Sequence, residues 1–192
     1  MKKLFCTLIF ICSLAFGQNE IYGIEVTDLR DGQKYHAIKI GNYVWMTRNL
    51  SHKKGNSWCY ENKDINCETY GRLYDWNTAR RVCPDGWRLP SRMEWNDLKK
   101  ETGSLGRNLR SKSWNGTDAF EFRALPGGYR FGSGFMGVGY INSGYQGYWW
   151  TATEDSGGKA LYKYMGDHDD VLEHFQSKSQ LALSVRCIRD PH

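Results

Sequence analysis

The sequence predicts an α+β domain, with two short helices packed on twisted antiparallel sheets and long loops between them. Two observations lead there. The element order reads strands, then two helices, then many short strands, the pattern of helices set against an antiparallel sheet. Glycine is abundant, at 21 of 192 residues, proline is sparse at 4, and Trp, Tyr and Phe number 8, 12 and 8. That composition suits tight turns between strands and large aromatic pieces in the core.

Residues 24–28 read as a strand. Leu29-Arg30-Asp31-Gly32 supplies a turn whose glycine tolerates positive φ. Residues 34–40 and 43–47 are rich in β-formers and flank the turn dipeptide Gly41-Asn42, which predicts a hairpin or a three-stranded meander. Residues 51–70 are polar. Residues 74–82 form the first helix candidate, broken by Asp85-Gly86. Ser91-Arg92-Met93-Glu94 is a capping box, with Ser91 at the N-cap and Glu94 at N3. Trp95 and Leu98 then share one face of a helix reaching to about Thr102.

Residues 103–118 hold few strand signals. Phe120, Phe122 and Ala124 alternate with Glu121 and Arg123, which predicts a strand, and Pro126-Gly127-Gly128 predicts a turn. Residues 129–147 are rich in glycine and aromatics. Strands follow at residues 148–153, 160–165, 171–175 and 181–188. No low-complexity linker or internal repeat divides the chain.

Lys2 and Lys3, an uncharged apolar run over residues 4–16, and the small-x-small pattern Ala15-Phe16-Gly17 predict a signal peptide over residues 1–17. The run is shorter than the roughly 20 residues a membrane span needs. A lipoprotein signal would place a cysteine at the cleavage site, whereas Cys12 follows Ile11 inside the run. The expected mature chain is one domain over residues 18–192 in the periplasm, at the cell surface or outside the cell, with no transmembrane anchor. Removing Lys2 and Lys3 turns 26 basic against 21 acidic residues into 24 against 21. A dispersed balance of +3 argues against nucleic acid as a partner.

Six cysteines become four when Cys6 and Cys12 leave with the signal, and an even number in an exported chain reads as disulfides. Four cysteines allow three pairings. The favoured one is a local Cys59–Cys67 loop with Cys83–Cys187 as a long-range staple. A four-thiolate metal site would need closely spaced C-x₂-C pairs, and the spacings here are far wider.

Several motifs carry a resemblance. WMTRNL (45–50), SWCYENKDINCETYGRLYDWNTA (57–79), CPDGWRLPSRMEWNDL (83–98), ALPGGYR (124–130), GYWWTATE (147–154) and SVRC (184–187) resemble the Fibrobacter succinogenes major paralogous domain, over about residues 26–189. That family implies an exported or cell-surface bacterial protein and brings no settled activity. A wider resemblance, to the C-type-lectin-like fold, implies a disulfide from an early helix to the last strand, which Cys83 and Cys187 match. WRLPSRMEWNDL is also similar to a helix segment of formylglycine-generating-enzyme-like proteins. The paired catalytic cysteines of that enzyme have no counterparts here.

The candidate ligand-binding residues are Tyr129, Arg130, Trp149, Trp150 and Glu154. Trp149 and Trp150 are adjacent, so a strand turns them to opposite sides. At least one is expected in the core; the favoured reading packs both inside or under the long loops, and the alternative leaves one to stack on a sugar ring. Tyr129 and Tyr148 carry the same ambiguity. Asp167, Asp169 and Asp170 offer oxygen ligands for Ca²⁺ without EF-hand spacing, and no other cofactor is expected. Trp95-Asn96-Asp97 copies a tripeptide of calcium-dependent lectins, yet it falls in the second helix candidate. Glu154 and Asp155 are unsuited as a glycosidase pair, because neighbours in a strand point apart. Ser91 lacks a G-x-S-x-G elbow, and the histidines show no ligand spacing. Asn49-Leu50-Ser51 and Asn115-Gly116-Thr117 are sequons, read as incidental. The expected function is non-catalytic binding of a glycan or an envelope protein. The alternatives are a polysaccharide-acting enzyme and a structural envelope component.

Overall fold

The computed structural model describes residues 23–132, 137–166, 171–176, 178 and 180–191. The strands are β1 (Ile24–Thr27), β2 (Lys34–Ile40), β3 (Tyr43–Met46), β4 (Ser57–Trp58), β5 (Leu73–Asp75), β6 (Gly127–Gly132), β7 (Val138–Ser143), β8 (Gly147–Glu154), β9 (Ala160–Met165), β10 (Leu172–Gln176), β11 (Leu181–Ser184) and β12 (Ile188–Arg189). The helices are α1 (Asp64–Tyr70), α2 (Trp76–Ala79) and α3 (Arg92–Glu101). The architecture is α+β and dominated by sheet.

The predicted meander is present as β1-β2-β3, and β12 joins it by pairing Ile188 with Trp45. A larger sheet has the order β10-β9-β8-β6-β11-β5-β4, with β7 paired to β6. Most of its pairs are antiparallel, but β8 runs parallel to β6 and to β11. The expected single strand over 181–188 is in fact two, one in each sheet. Residues 185–187 carry the chain across, and the carbonyls of Val185 and Cys187 stay paired. Val185 O accepts from Leu50 N at 2.9 Å and Cys187 O from Met46 N at 3.0 Å.

The helix after Ser91 forms as predicted. Ser91 Oγ accepts from Glu94 N, and Glu94 Oε2 accepts from Ser91 N at 2.6 Å. Trp95 and Leu98 are its buried face. The first helix candidate is much shorter than residues 74–82. Leu73 and Tyr74 are buried as strand residues against β11, and Asp75 caps a four-residue helix by accepting from Thr78 N. Sheet pairing there overrides helical pattern. The polar stretch over 51–70, in turn, contains the unforeseen helix α1.

The predicted strand over 120–124 is a loop. Phe122 and Ala124 are buried as the alternation implied. Glu121 and Arg123, however, have φ of 51° and 55°, which breaks an extended run. Pro126-Gly127-Gly128 is the entry to β6 rather than a turn. Gly128 has φ +63°, and a Cβ there would meet Ile141 O at 2.4 Å.

The larger sheet separates two cores. Tyr148 and Trp150 on β8 face one, with Tyr35, Tyr74, Trp76 and Leu183. Trp149 faces the other, with Trp45, Trp95, Phe122 and Ile188. In the second core the Trp45 and Trp95 rings meet edge-on at 5.1 Å. Both cores touch one buried polar node. Asn49 Oδ1 accepts from Trp149 Nε1 at 2.8 Å and from Arg186 Nε and Nη2 at 3.1 and 2.9 Å. Arg186 Nη1 reaches Met46 O and Phe122 O at 3.0 and 2.7 Å, and its guanidinium lies 4.4 Å from the centre of the Phe122 ring. Burial pushes the Arg186 pKa down to about 9, so it stays charged at neutral pH.

Cys59–Cys67 and Cys83–Cys187 are both bridged, the pairing the sequence favoured. Two disulfides point to an oxidising, exported environment. Among the described residues no helix is long and apolar enough to cross a membrane.

Two stability predictions follow from this framework. Chain-entropy reasoning makes the bridge of separation 104 worth about 5 kcal/mol and the one of separation 8 about 2.5. Guanidinium unfolding should therefore show a larger midpoint loss for Cys83→Ser/Cys187→Ser than for Cys59→Ser/Cys67→Ser, and equal shifts would refute the ordering. Asn49→Ala removes the acceptor shared by Arg186 and Trp149, and should cost about 3–5 kcal/mol. Asn49→Asp keeps an acceptor there and should cost less. A loss within about 1 kcal/mol for Asn49→Ala would show that the node is not needed.

Candidate functional site

A strand places alternate side chains on opposite faces, so Tyr129 and Arg130 on β6 serve different surfaces. Arg130 faces β4. Its guanidinium lies 4.0 Å from the centre of the Trp58 ring, a stacked cation–aromatic contact. Among the described residues that guanidinium has no hydrogen-bond or ion-pair partner, and its Nε is buried without one. Around this stack opens a cleft of about 290 Å³ lined by Asn56, Trp58, Asp75, Asn77, Arg130, Lys178, Gln180 and Leu181.

The polar groups of the cleft differ in how committed they are. Asp75 is spent locally, since Oδ1 caps α2 and Oδ2 accepts from Asn56 Nδ2 at 2.8 Å. Asn77 is exposed on α2. Lys178 sits over the Trp76 ring at 4.4 Å and pairs with Glu154. Arg80 approaches the same ring at 4.6 Å and reaches Glu154 at 3.5 Å. Glu154, expected as a ligand contact, is thus the counter-ion of two cations that cover Trp76.

Tyr129 faces a shelf of aromatics on the other surface. Its ring meets Tyr148 edge-on at 4.9 Å, and Tyr148 stacks on Tyr164 at 5.8 Å. Tyr162 adjoins both Tyr148 and His174. A hollow of about 110 Å³ lies between Tyr129, Tyr148, Tyr162 and Leu181. The Tyr148 hydroxyl accepts from Asn142 Nδ2 at 2.7 Å and donates to Gln146 Oε1. Burial pushes the Tyr162 phenol up to about 12, with further help from Tyr148 and Tyr164, so it stays neutral and able to donate. Leu181 lines both the cleft and the hollow.

Trp149 and Trp150 are corrected as ligand contacts. Both are 0 % exposed. Trp149 donates to Asn49, and Trp150 donates to Tyr74 O at 2.8 Å. They do face opposite sides, but each side is a core, so neither indole offers a face to a sugar. Of the five candidates, Tyr129 and Arg130 therefore remain. Sequence reasoning missed Trp58, Asn56, Asn77, Lys178, Gln180, Tyr162 and Tyr164. Trp58 lay within the quoted motif over 57–79, which was the available signal.

Asp167, Asp169 and Asp170 lie outside the described residues. Among the described residues, Asp28, Asp31 and His52 bring ligand atoms within 4.8 Å of one another. They fit an ion pair better than a metal. Arg30 Nε and Nη2 hold both Asp28 oxygens at 2.8 and 2.7 Å, so a cation would have to displace a guanidinium. Burial raises the Asp28 carboxyl, yet the bonds from Arg30 outweigh it and keep the pKa lowered. Asn96 lies in α3 and accepts from Lys163, away from the cleft, and Asn49 of the first sequon is buried.

No curated protein and no solved structure matches the chain. The Fibrobacter succinogenes major domain matches residues 38–189, which takes in the buried node, both disulfides, the cleft and the tyrosine shelf. The match spans well over half of the sequence, and the chain belongs to that family.

Proposed function

We propose that this protein is a non-catalytic glycan-binding protein of the periplasm or cell surface, delivered by a signal peptide over residues 1–17. Its ligand is a sugar chain bearing carboxylates, held in the cleft around Arg130. The observation that carries this reading is the Arg130–Trp58 stack, a cation with no competing ion pair among the described residues. A guanidinium offers a planar donor fork that suits a carboxylate. Asn56, Asn77 and Gln180 supply amides of the kind that pair with hydroxyls. The tyrosine shelf adjoins the cleft through Leu181 and offers apolar faces for further sugar rings.

Binding is favoured over catalysis because Asp75, the carboxylate lining the cleft, has both oxygens engaged. The Cys83–Cys187 bridge, from the turn before α3 to the residue that precedes the last strand, supports a C-type-lectin-like fold, which is part of the same proposal.

Titration calorimetry against uronic-acid oligosaccharides and neutral counterparts tests the reading. The acidic series should bind more tightly. Arg130→Ala and Trp58→Ala should each weaken binding by about tenfold, or ~1.4 kcal/mol. Failure to bind any glycan, or affinity unchanged in both variants, would sink the proposal. Release of new reducing ends from a labelled polysaccharide would favour the enzyme instead.

A further inference from the structure

On the face of the larger sheet opposite the tyrosine shelf, Lys163 stands on β9 directly across from Glu173 on β10 and Trp149 on β8. Helix α3 covers this face, and its Trp95 packs 6.0 Å from Trp149. The next residue along α3 is Asn96. The Lys163 side chain is only 3 % exposed, and its Nζ has two hydrogen-bond partners. It donates to Asn96 Oδ1 at 2.8 Å and to Glu173 Oε2. Arg92, also on α3, holds both oxygens of Glu173.

Seen only as an ion pair, Lys163–Glu173 is complete without Asn96. The added feature is a side-chain amide whose carbonyl is held against a nearly dry amine, with a carboxylate touching the same nitrogen. Those are the parts needed for an uncatalysed acyl transfer: a nucleophile, an acyl group and a proton carrier. Holding reactants in contact can replace a very large effective concentration. Burial also lowers the Lys163 pKa against the opposing pull of Glu173, which favours the neutral, nucleophilic amine. Arg92 and Lys163 outweigh the burial of Glu173 and keep its pKa lowered, so it begins as the carboxylate that accepts the proton.

We propose that Lys163 and Asn96 become joined by an intramolecular amide bond, with Glu173 as the proton carrier. Glu173 takes a proton from the Lys163 ammonium. The freed lone pair on Nζ attacks Asn96 Cγ and forms the new C–N bond. Glu173 returns the proton to the amide nitrogen Nδ2 as the Cγ–Nδ2 bond breaks, and then carries the second Nζ proton to the departing ammonia. Starting from the ammonium form, the products are a secondary amide and one ammonium ion. No oxidant, reductant or other reactant is consumed. The bond would tie α3 to the larger sheet across a sequence separation of 67, by a link that reducing agents leave intact.

Peptide mapping of the folded full chain by mass spectrometry, after cysteine reduction and trypsin digestion, tests this directly. The expected product is one species containing both the Asn96 and Lys163 peptides, lighter than their sum by one ammonia and uncut at Lys163. Lys163→Arg keeps a cation beside Glu173 and should yield no such species. Glu173→Gln should reduce its yield several-fold, and an unchanged yield would overturn the role given to Glu173. Separate unmodified peptides from the wild-type protein, or Asn96 found as aspartate in an unlinked peptide, would overturn the bond itself. The wild-type measurement decides the bond even if a variant fails to fold.

Discussion

A guanidinium with almost no exposure must find its hydrogen bonds inside the protein, and Arg186 finds them on three residues from two separate stretches of chain. Met46 ends β3, Asn49 lies in the loop that follows, and Phe122 belongs to the loop before β6. Stripping water from a charge carries a penalty of several kcal/mol, so these partners have to be in place together. Among the described residues no carboxylate forms an ion pair with Arg186, Asp118 acting on it only from a distance, and the positive charge is spread over carbonyl oxygens and the face of Phe122. Trp149 shares Asn49 Oδ1 with it, which links β8 of the larger sheet to the same point.

The node also explains the loop that the sequence pattern misassigned. Asp118, Glu121 and Arg123 all have left-handed φ, between 50° and 55°, without being glycine. Such strain persists only where surrounding structure over-determines it. Here the Phe122 carbonyl and ring serve Arg186, and Asp118 Oδ1 accepts from Arg123 N at 2.8 Å. An alternating pattern of buried residues was legible at Phe122 and Ala124. The backbone that delivers them was not, because its shape answers to a residue more than sixty positions away.

The same division runs through the rest of the molecule. Capping at Ser91, the meander turn at Gly41 and the strand over 160–165 are local devices, and the sequence shows them plainly. The first helix shrinks because Leu73 and Tyr74 are claimed by β11, a partner over a hundred residues later. The cleft was opaque for a related reason. Trp58 and Arg130 come from distant motifs, and nothing in either motif says that a guanidinium will lie on an indole. Adjacent tryptophans drew attention through their size, yet size is also what fills a core, and a sheet with a core on each face has room for both.

Residues 181–189 connect these parts. Leu181 floors both the cleft and the tyrosine hollow, and Leu183 packs in the first core. Arg186 makes the node, Cys187 closes the long disulfide, and Ile188 enters the second core as the chain joins the smaller sheet. A strand that changes sheets loses its ladder partners where it crosses, and that gap is filled here by the backbone of residues 46 and 50 and by the side chain of Arg186. Ligand surface, cores and staple therefore share one short segment. Side chains exposed in the cleft can change without disturbing that crossing, whereas any change in how the chain crosses between sheets must move Leu181 and the surface it supports. This arrangement lets the sheets stay fixed while the residues lining the cleft vary.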